Sequence, residues 1–330
     1  MAMSRELAPG SVMTRRFVGE DVVLYRTDDG ELHAVHPYCP HLGAHLGGGR
    51  VEGQNLVCPF HRFAFAPDGR CAHAPGGPAP RARLSHHTVS ERNGFIFIWH
   101  EHRGASPSWH LPQEFSTEVP PTAVWTGEAL THVQEVTENA VDYRHLPVMH
   151  GVTVQERIPP TTEGPFLRLS LRLTPQRFPA IGKVVGDYAF QMAGLGCFRT
   201  ETNLPPLGLV VYTWAMFTPT EPRRTRLLLA TACTPADRPH HSVAWITRHS
   251  LHRCLARAVL WAGARALRQD MPVFNTKRYE PRPRLAAGDE AIGLYRHWAR
   301  QFYPDIHGGC SGAPTAPDGA TPQKTHRYTT

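Results

Sequence analysis

The first hundred residues alternate short apolar, β-branched runs with turn sequences. One such run occupies residues 16–26, and a second, ELHAVHPY, follows an Asp-Asp-Gly turn at residues 28–30. The almost wholly apolar run Phe95–His100 is typical of a strand that is covered on both faces. These patterns predict a small all-β unit that is built from antiparallel hairpins.

Longer periodic segments follow a proline-rich stretch. Leu167–Pro175 alternates with a period of two residues, and two long strands are predicted at Leu209–Pro219 and Arg223–Pro235, on either side of a turn. Apolar residues recur with helical spacing in His252–Leu267 and in Gly288–Phe302. The sequence therefore predicts an α+β fold in which an antiparallel sheet is flanked by helices.

The change of pattern divides the chain into four parts. We predict a small β domain at residues 1–103, a connector at 104–122 and a larger domain at 123–305. Residues 306–330 are rich in glycine, proline and threonine, and this composition predicts a disordered tail.

Composition narrows the class of protein. The chain has 330 residues and a net charge of +7 that is dispersed along its length, without the basic blocks of a nucleic-acid surface. It contains no run of 18 apolar residues, so no membrane span is expected. The N-terminus does not resemble a signal peptide, and the scattered cysteines suggest reduced thiols. We expect a cytoplasmic location and no nucleic-acid partner.

The candidate chemistry of the small β unit lies in two short motifs, Cys-Pro-His at 39–41 and Cys-Pro-Phe-His at 58–61. Their thiolates and imidazoles form a four-ligand set for iron or zinc, which we call the cluster quartet: Cys39, His41, Cys58 and His61. A [2Fe–2S] cluster with mixed ligands needs two facing loops that each deliver one sulfur and one nitrogen. Structural zinc is the alternative, although zinc fingers more often use closely spaced like pairs.

The surroundings of the cluster quartet favour the iron–sulfur cluster. Gly43 and the run Gly47–Gly49 are expected to let the first loop curl round a bulky inorganic centre. Proline follows each cysteine and stiffens both loops. Over about residues 15–100 the sequence resembles the Rieske iron–sulfur domain.

A second candidate site lies in the run ENAVDYRHLPVMH, where helical character is predicted for Val136–Tyr143. On an ideal helix His145 and His150 would lie about 140° apart, but Pro147 between them disrupts the helix and can bring the rings together. Asp142 precedes the first histidine by three residues. Its carboxylate could therefore accept the ring N–H of a metal-bound imidazole.

A Rieske-like unit followed by this run resembles the oxygenase (alpha) subunits of Rieske non-haem iron oxygenases. The resemblance implies that His145 and His150 are two ligands of a 2-His-1-carboxylate iron site. In the family the carboxylate comes much later, in a Gln-Asp setting, which Gln269-Asp270 matches just past the predicted apolar helix. Asp270 is thus the expected third ligand. The rival carboxylates are Asp237, Asp289, Glu290 and Asp305.

Within the family the chain is most similar to the branch that contains ketosteroid 9α-hydroxylases and cholesterol 7-desaturases. The similarity lies in ENAVDYRHLPVMHG and in QDMPVFNTKRYEPRPRLAAGDEAIGLYRHWARQFY. It implies a helix-grip-like catalytic domain behind the small β domain. Pocket residues are expected on the inner faces of Leu209–Phe217 and Arg226–Cys233 and in Val148–Val154.

The resemblance also implies a function. It predicts a terminal oxygenase that uses O₂ to hydroxylate a bulky, largely hydrophobic substrate, such as a steroid or a polycyclic natural product. Electrons would come from NAD(P)H through a separate reductase, with or without a ferredoxin. Two alternatives remain, namely a desaturase or other oxidative tailoring enzyme with the same iron site, and an electron-transfer protein with a non-catalytic second domain.

In the family the electron crosses between neighbouring subunits of a ring-shaped homotrimer. Here the residues of that path would be His61, Asp142 and His145. Asn139 and Glu138 would support the path or the iron pocket, or would serve as capping or surface residues.

Overall fold

The computed structural model of the protein describes residues 1–101, 104–115, 120–177, 187–236 and 244–304. The predicted tail at 306–330 lies outside the described residues. The predicted domain boundaries remain predictions.

Within the described N-terminal part, ten short strands form three antiparallel sheets, in the orders β1-β10-β9, β2-β3-β4 and β5-β6-β7-β8. The strands are β1 (Ala2–Met3), β2 (Val12–Phe17), β3 (Glu20–Arg26), β4 (Leu32–Val35), β5 (Arg50–Glu52), β6 (Asn55–Val57), β7 (Ala64–Phe65), β8 (Cys71–His73), β9 (Val89–Arg92) and β10 (Phe95–Ile98).

In the rest of the described chain, seven antiparallel strands form one sheet in the order β11-β17-β16-β15-β14-β13-β12. The strands are β11 (Ala123–Ala129), β12 (Val152–Glu163), β13 (Phe166–Pro175), β14 (Tyr188–Ala193), β15 (Cys197–Leu204), β16 (Leu209–Glu221) and β17 (Arg224–Pro235). This sheet confirms the predicted α+β class.

The α-helices of the described residues are α1 (Val133–Glu138), α2 (Ala244–Thr276) and α3 (Glu290–Ala299). A π-helical turn covers Leu146–His150. None of the helices in the described part of the chain is both long and apolar enough to cross a membrane. Short 3-10 turns lie at Ser4–Glu6, Leu46–Gly48, Gln113–Phe115, Pro205–Leu207 and Arg300–Phe302.

The large sheet is covered on both faces. On one face, Ala264 and Phe274 of α2 pack against Ala215 and Leu229. On the other face, Trp214 belongs to a buried cluster that also contains Met3 and Phe95 of the small sheets. Burial of apolar side chains therefore joins the N-terminal sheets to the back of the large sheet, and leaves the α2 face for the second candidate site.

The helix before the two histidines differs from the prediction. The prediction of Val136–Tyr143 is wrong in its bounds, because α1 begins at Val133 and ends at Glu138. Beyond it the chain makes tight turns, in which the N–H groups of Val141 and Asp142 both donate to the carbonyl of Glu138. These turns change the direction of the chain before the π-helical turn.

Helix α2 is longer than predicted. It continues past Leu267 to Thr276 although Pro272 lies inside it. Asp270 therefore lies within the helix, and the expectation that it follows the helix end is wrong. A proline is compatible with helical φ, and it costs one hydrogen bond and produces a local kink rather than an obligatory end.

Strand β12 was not predicted from the sequence. It contains Pro159 and Pro160, which usually argue against a strand. It lies at the edge of the sheet, and its register with β13 shifts between Glu156 and Ile158 and again before Thr161. An edge position and bulges tolerate proline, because a missing N–H interrupts no central ladder.

Candidate functional site

The cluster quartet lies on two tight loops. The N–H of Cys39 donates to the carbonyl of Ala44 at 2.9 Å, and the N–H of Gly43 donates back to the carbonyl of Cys39 at 2.9 Å. In the second loop the N–H of Cys58 donates to the carbonyl of Phe63 at 2.9 Å. Backbone hydrogen bonds thus fix both loops independently of any bound group.

The sulfur and nitrogen atoms of the cluster quartet lie in different environments. Cys39 and Cys58 are 3% and 1% exposed. Burial raises the pKa of the Cys39 thiol to about 11, and the adjacent Cys58 thiol adds to the effect. His41 and His61 lie nearer the surface with ring centroids 4.8 Å apart, and His41 stacks on Phe63. A bound group would therefore have a buried sulfur side and an accessible imidazole side.

The glycines near the quartet have two roles. Gly43 has a φ of +74°, which fits the tight turn predicted for the ligand loop. A Cβ atom on Gly47 would lie 2.0 Å from Oγ1 of Thr14, and one on Gly49 would lie 2.4 Å from the carbonyl oxygen of Val57. These two glycines therefore allow the loop to pack closely against neighbouring strands, and their role around a bound cluster stays a prediction.

The geometry of the quartet fits a cluster better than a single ion. Tetrahedral zinc needs its ligand atoms roughly 4 Å apart. Among the described residues, the ligand atoms of a different group lie within 4.8 Å of one another, whereas those of the quartet are spread more widely. The wider spacing suits a centre with two irons, and the donor set of two thiols and two imidazoles is that of a Rieske cluster.

The compact group consists of His145, His150 and Asp270, which we call the metal trio. One ligand atom from each residue lies within 4.8 Å of the other two. Oδ1 of Asp270 lies 3.2 Å from Nε2 of His150, and both side chains are buried. The π-helical turn brings the histidine rings to a centroid distance of 5.2 Å, as Pro147 was expected to allow.

Both imidazoles of the metal trio are held through Nδ1. His145 Nδ1–H donates to the backbone carbonyl of Asp142 at 2.5 Å. His150 Nδ1–H donates to Oε1 of Gln269 at 3.1 Å. Each Nε2 is thereby left as the atom that can face a metal ion. The Gln269 contact was not predicted, although the position of this amide directly before the expected ligand was a usable signal.

The electrostatics of the metal trio favour a cation. The hydrogen bond with Asp270 raises the pKa of His150, against the lowering effect of burial. Two imidazoles and one carboxylate form the donor set that suits ferrous iron and leaves coordination positions free.

Asn139 and Asp142 lie beside the metal trio. Nδ2 of Asn139 donates to Oδ2 of Asp270 at 3.4 Å. Oδ2 of Asp142 is 3.7 Å from Nδ1 of His145, farther than the backbone carbonyl of the same residue. The predicted contact between ring and carboxylate is therefore made by the backbone oxygen, whereas Oδ1 of Asp142 accepts the N–H of Arg144 at 3.2 Å.

Glu138 does not take part in the metal trio. Its two carboxylate oxygens accept hydrogen bonds from Arg296 at 2.6 and 2.9 Å, and both side chains are largely buried. This pair connects α1 to α3. Glu138 is therefore a packing residue rather than an exposed helix-surface residue.

The rival carboxylates are accounted for where the structure describes them. Asp289 precedes α3 and accepts a hydrogen bond from Nε of Arg144 at 2.6 Å. Glu290 accepts the N–H of Gly288 at 2.9 Å in the first turn of the helix. Asp237 and Asp305 lie outside the described residues.

Comparisons with known proteins cover both parts of the chain. The Rieske [2Fe-2S] domain family matches residues 1–87. The family described as 3-ketosteroid 9alpha-hydroxylase C-terminal domain matches residues 98–303, which is more than half of the chain. This chain is a Rieske non-haem iron oxygenase. It belongs to the branch of the ketosteroid 9α-hydroxylases and cholesterol 7-desaturases, as the resemblance predicted.

Individual relatives agree with this assignment. The oxygenase is 33% identical to a cholesterol 7-desaturase of Caenorhabditis elegans, over 92% of this chain and 75% of the relative. It is 29% identical to a cholesterol 7-desaturase of Hemicentrotus pulcherrimus, over 92% and 69%. It is 26% identical to a probable 3-ketosteroid-9-alpha-monooxygenase oxygenase component of Rhodococcus rhodochrous, over 93% and 79%.

Solved structures share the fold of the oxygenase at lower identity. NdmA of Pseudomonas putida CBB5 with caffeine superposes with a TM-score of 0.67 at 18% identity, over 88% of this chain and 84% of the other. Dicamba monooxygenase bound to dicamba gives 0.63 at 18% identity, over 91% and 95%. These likenesses establish the architecture alone.

Family membership settles the broad class. The protein is an oxidoreductase whose cofactors are a Rieske [2Fe–2S] cluster and a mononuclear iron. The alternative of an electron-transfer protein with a non-catalytic second domain is not retained.

Proposed function

We propose that this oxygenase is the terminal component of a system that hydroxylates a bulky, largely hydrophobic substrate of the steroid or polycyclic type. The observation that carries the proposal is the metal trio, whose ligand atoms lie within 4.8 Å of one another. Similarity to enzymes named for cholesterol and 3-ketosteroids supports the substrate class.

The metal trio would hold the mononuclear iron, and the cluster quartet would hold the [2Fe–2S] cluster. Bound there, the iron supplies the centre at which O₂ is reduced. The residues around it control orientation, because Gln269 and the carbonyl of Asp142 fix the two imidazoles. Asn139 would orient Asp270, because it donates a hydrogen bond to the second carboxylate oxygen of that residue.

The apolar side chains packed near the metal trio favour an apolar substrate. Phe198 and Phe217 contact each other with ring centroids 5.6 Å apart. Phe198 packs in one cluster with Met271, the neighbour of Asp270, and in another with Tyr143, close to His145. Aromatic walls exclude water from a site and favour ligands with extended apolar surface.

Electrons are proposed to come from NAD(P)H through a separate reductase, with or without a ferredoxin. His41 lies exposed at the surface and Phe60 next to His61 is also exposed, so the imidazole side of the cluster quartet is accessible to a partner. Asp142 is a third exposed and lies beside His145. This placement supports a path from His61 of one subunit to Asp142 and His145 of another subunit in a homotrimer.

Desaturation at the same iron is the second candidate reaction. Similarity to the cholesterol 7-desaturases, which reaches 33% identity with that of Caenorhabditis elegans, favours it. Both reactions begin from the same placement of a substrate carbon near the metal trio. They differ in whether the product gains oxygen or loses two hydrogens.

Product analysis with the purified oxygenase tests both reactions. The protein is assayed for iron and acid-labile sulfide, supplied with a reductase and NADH, and offered cholesterol, a 3-ketosteroid and an aromatic polyketide. A product one oxygen heavier supports hydroxylation, and a product two hydrogens lighter supports desaturation. Absence of any product from the whole panel, with both metal centres loaded, would contradict the proposed substrate class.

A further inference from the structure

One face of the large sheet points towards α2, and cross-strand pairing identifies its residues. Phe198, Ala215 and Leu229 are paired in register and pack against α2. Two residues further along the strands, Thr231 donates its hydroxyl hydrogen to the carbonyl of Ala256 in α2 at 2.7 Å. Residues at even spacing from these positions therefore share the same face.

Strands β14, β15 and β16 contribute four hydroxyl groups to this face. Thr213 is paired with Thr200, and Thr202 is paired with Tyr188. Thr200 and Thr202 are two and four residues from Phe198 in β15, so all four side chains point the same way as that phenylalanine. We call Tyr188, Thr200, Thr202 and Thr213 the hydroxyl strip.

The hydroxyl strip lies in otherwise apolar surroundings. Val211, which pairs with Thr202, belongs to a buried cluster with Cys233 and Ala256. Phe190, which pairs with Thr200, packs against the buried cluster of α3. The strip is therefore a polar patch within a face that the rest of the sheet uses for hydrophobic packing.

The hydroxyls of the strip have no partner among the described residues, whereas that of Thr231 on the same face is bonded to α2. Thr200 and Thr202 are only 6% and 5% exposed. None of the four hydroxyl oxygens is among the fully buried unpaired polar atoms of the described residues, so each keeps some access to solvent and is free to bond a ligand. Burial also raises the pKa of Tyr188, so its hydroxyl remains a neutral donor.

The strip extends along β15 away from Phe198, the strand residue that packs nearest the metal trio. Phe198 packs near both the Asp270 and His145 segments, as described above. Thr200 and Thr202 follow it by about 7 and 13 Å along the strand, at roughly 3.3 Å per residue. Thr213 is only partly buried although β15 and β17 flank it, so its side chain is not completely covered on this face.

We propose that the hydroxyl strip binds an oxygen function of the substrate, a hydroxyl or a carbonyl on the part of the ring system remote from the carbon that is oxidised. The inference rests on the proposed function and adds a polar anchor to it. Binding one oxygen at this distance would fix which carbon lies at the metal trio. A site that hydrogen-bonds a substrate oxygen also rejects the analogue that lacks it.

The test compares cholesterol with its 3-deoxy analogue, cholest-5-ene, on the holoenzyme. Binding affinity is measured by titration, and products are measured separately with a reductase and NADH. The wild type should bind cholesterol about tenfold more tightly than the deoxy compound, as expected for the loss of one hydrogen bond. Thr200→Val with Thr202→Val, and separately Tyr188→Phe, should reduce that ratio by weakening cholesterol binding alone.

Thr231→Val is the matched control, because it removes a hydroxyl from the same sheet face that is already bonded to α2. It should lower the thermal stability and leave the ratio unchanged. Equal affinity of the wild type for the two sterols, including no affinity for either, would overturn the inference. So would an unchanged ratio in the strip variants with the cluster absorption intact. Selective binding without product would instead count against the proposed function alone.

Discussion

The cluster quartet and the metal trio differ in how far their ligand side chains are exposed to solvent. In the quartet the thiols are buried, whereas His41 is exposed at the surface. In the trio the side chains of His145, His150 and Asp270 are 14%, 8% and 7% exposed. The quartet is therefore built for contact with an electron donor or acceptor, and the trio for chemistry away from bulk water.

The two sites also differ in how the chain constructs them. The quartet comes from two loops within one stretch of 23 residues, each closed by its own backbone hydrogen bonds. The trio joins a π-helical turn to the C-terminal third of α2, and Asp270 follows His150 by 120 residues. The quartet should consequently tolerate changes elsewhere in the fold, whereas the trio depends on how α2 packs.

The largest expected effect comes from Asp270→Ala. Loss of the carboxylate should remove the mononuclear iron and abolish product formation, because two imidazoles alone bind ferrous iron weakly. The visible absorption of the cluster should remain. Iron analysis, expected to fall by one iron per chain, checks this together with the product assay. Asp289→Asn, which changes a carboxylate bonded to Arg144, is the control and should retain the iron. Full iron content in Asp270→Ala would show that another group supplies the third ligand.

Cys58→Ser should produce the converse phenotype. The buried sulfur is the softer ligand, and its loss should remove the red-brown cluster and its acid-labile sulfide. The metal trio should still bind one iron, because the two sites share no described hydrogen bond. Cys71→Ser, at a partly exposed cysteine outside the quartet, is the matched control and should retain the cluster. Loss of both centres in Cys58→Ser would contradict the independence of the two sites.

The sequence alone predicts these two regions to different depths. The quartet is encoded by two local motifs, so residues and chemistry could both be predicted. The family resemblance identified Asp270 as the third ligand, but the local sequence pattern predicted that the helix ends before this residue. Strand β15 was missed because buried Arg199, Thr200 and Thr202 interrupt the apolar alternation. That the hydroxyls of the strip share one face is visible only from the cross-strand register.

Asp142→Asn tests the connection between the two regions. The asparagine retains an oxygen that can accept the N–H of Arg144, so the turn should persist, but the negative charge beside His145 is lost. We expect both metal centres to remain and product formation to fall by at least about tenfold, as is usual when a residue beside a metal ligand is changed. Single-turnover transfer from the reduced cluster measures the step directly. Asp21→Asn, beside His45 in the small sheets, is a control that should not slow it. Normal turnover of Asp142→Asn would rule out the bridging role.

Gln269→Leu should have the smallest effect of these substitutions. Leucine has nearly the same volume but cannot accept Nδ1–H of His150, so the ring loses the contact that directs Nε2 towards Asp270. Ferrous iron should bind about tenfold more weakly, in line with other hydrogen-bond partners of metal ligands. Titration of the iron-depleted holo-cluster protein with Fe(II) measures the change, and the cluster absorption should stay constant. Gln269→Glu keeps an acceptor oxygen and should restore most of the affinity. Equal affinity of the Leu variant and the wild type would mean that α2 packing alone positions the imidazole of His150.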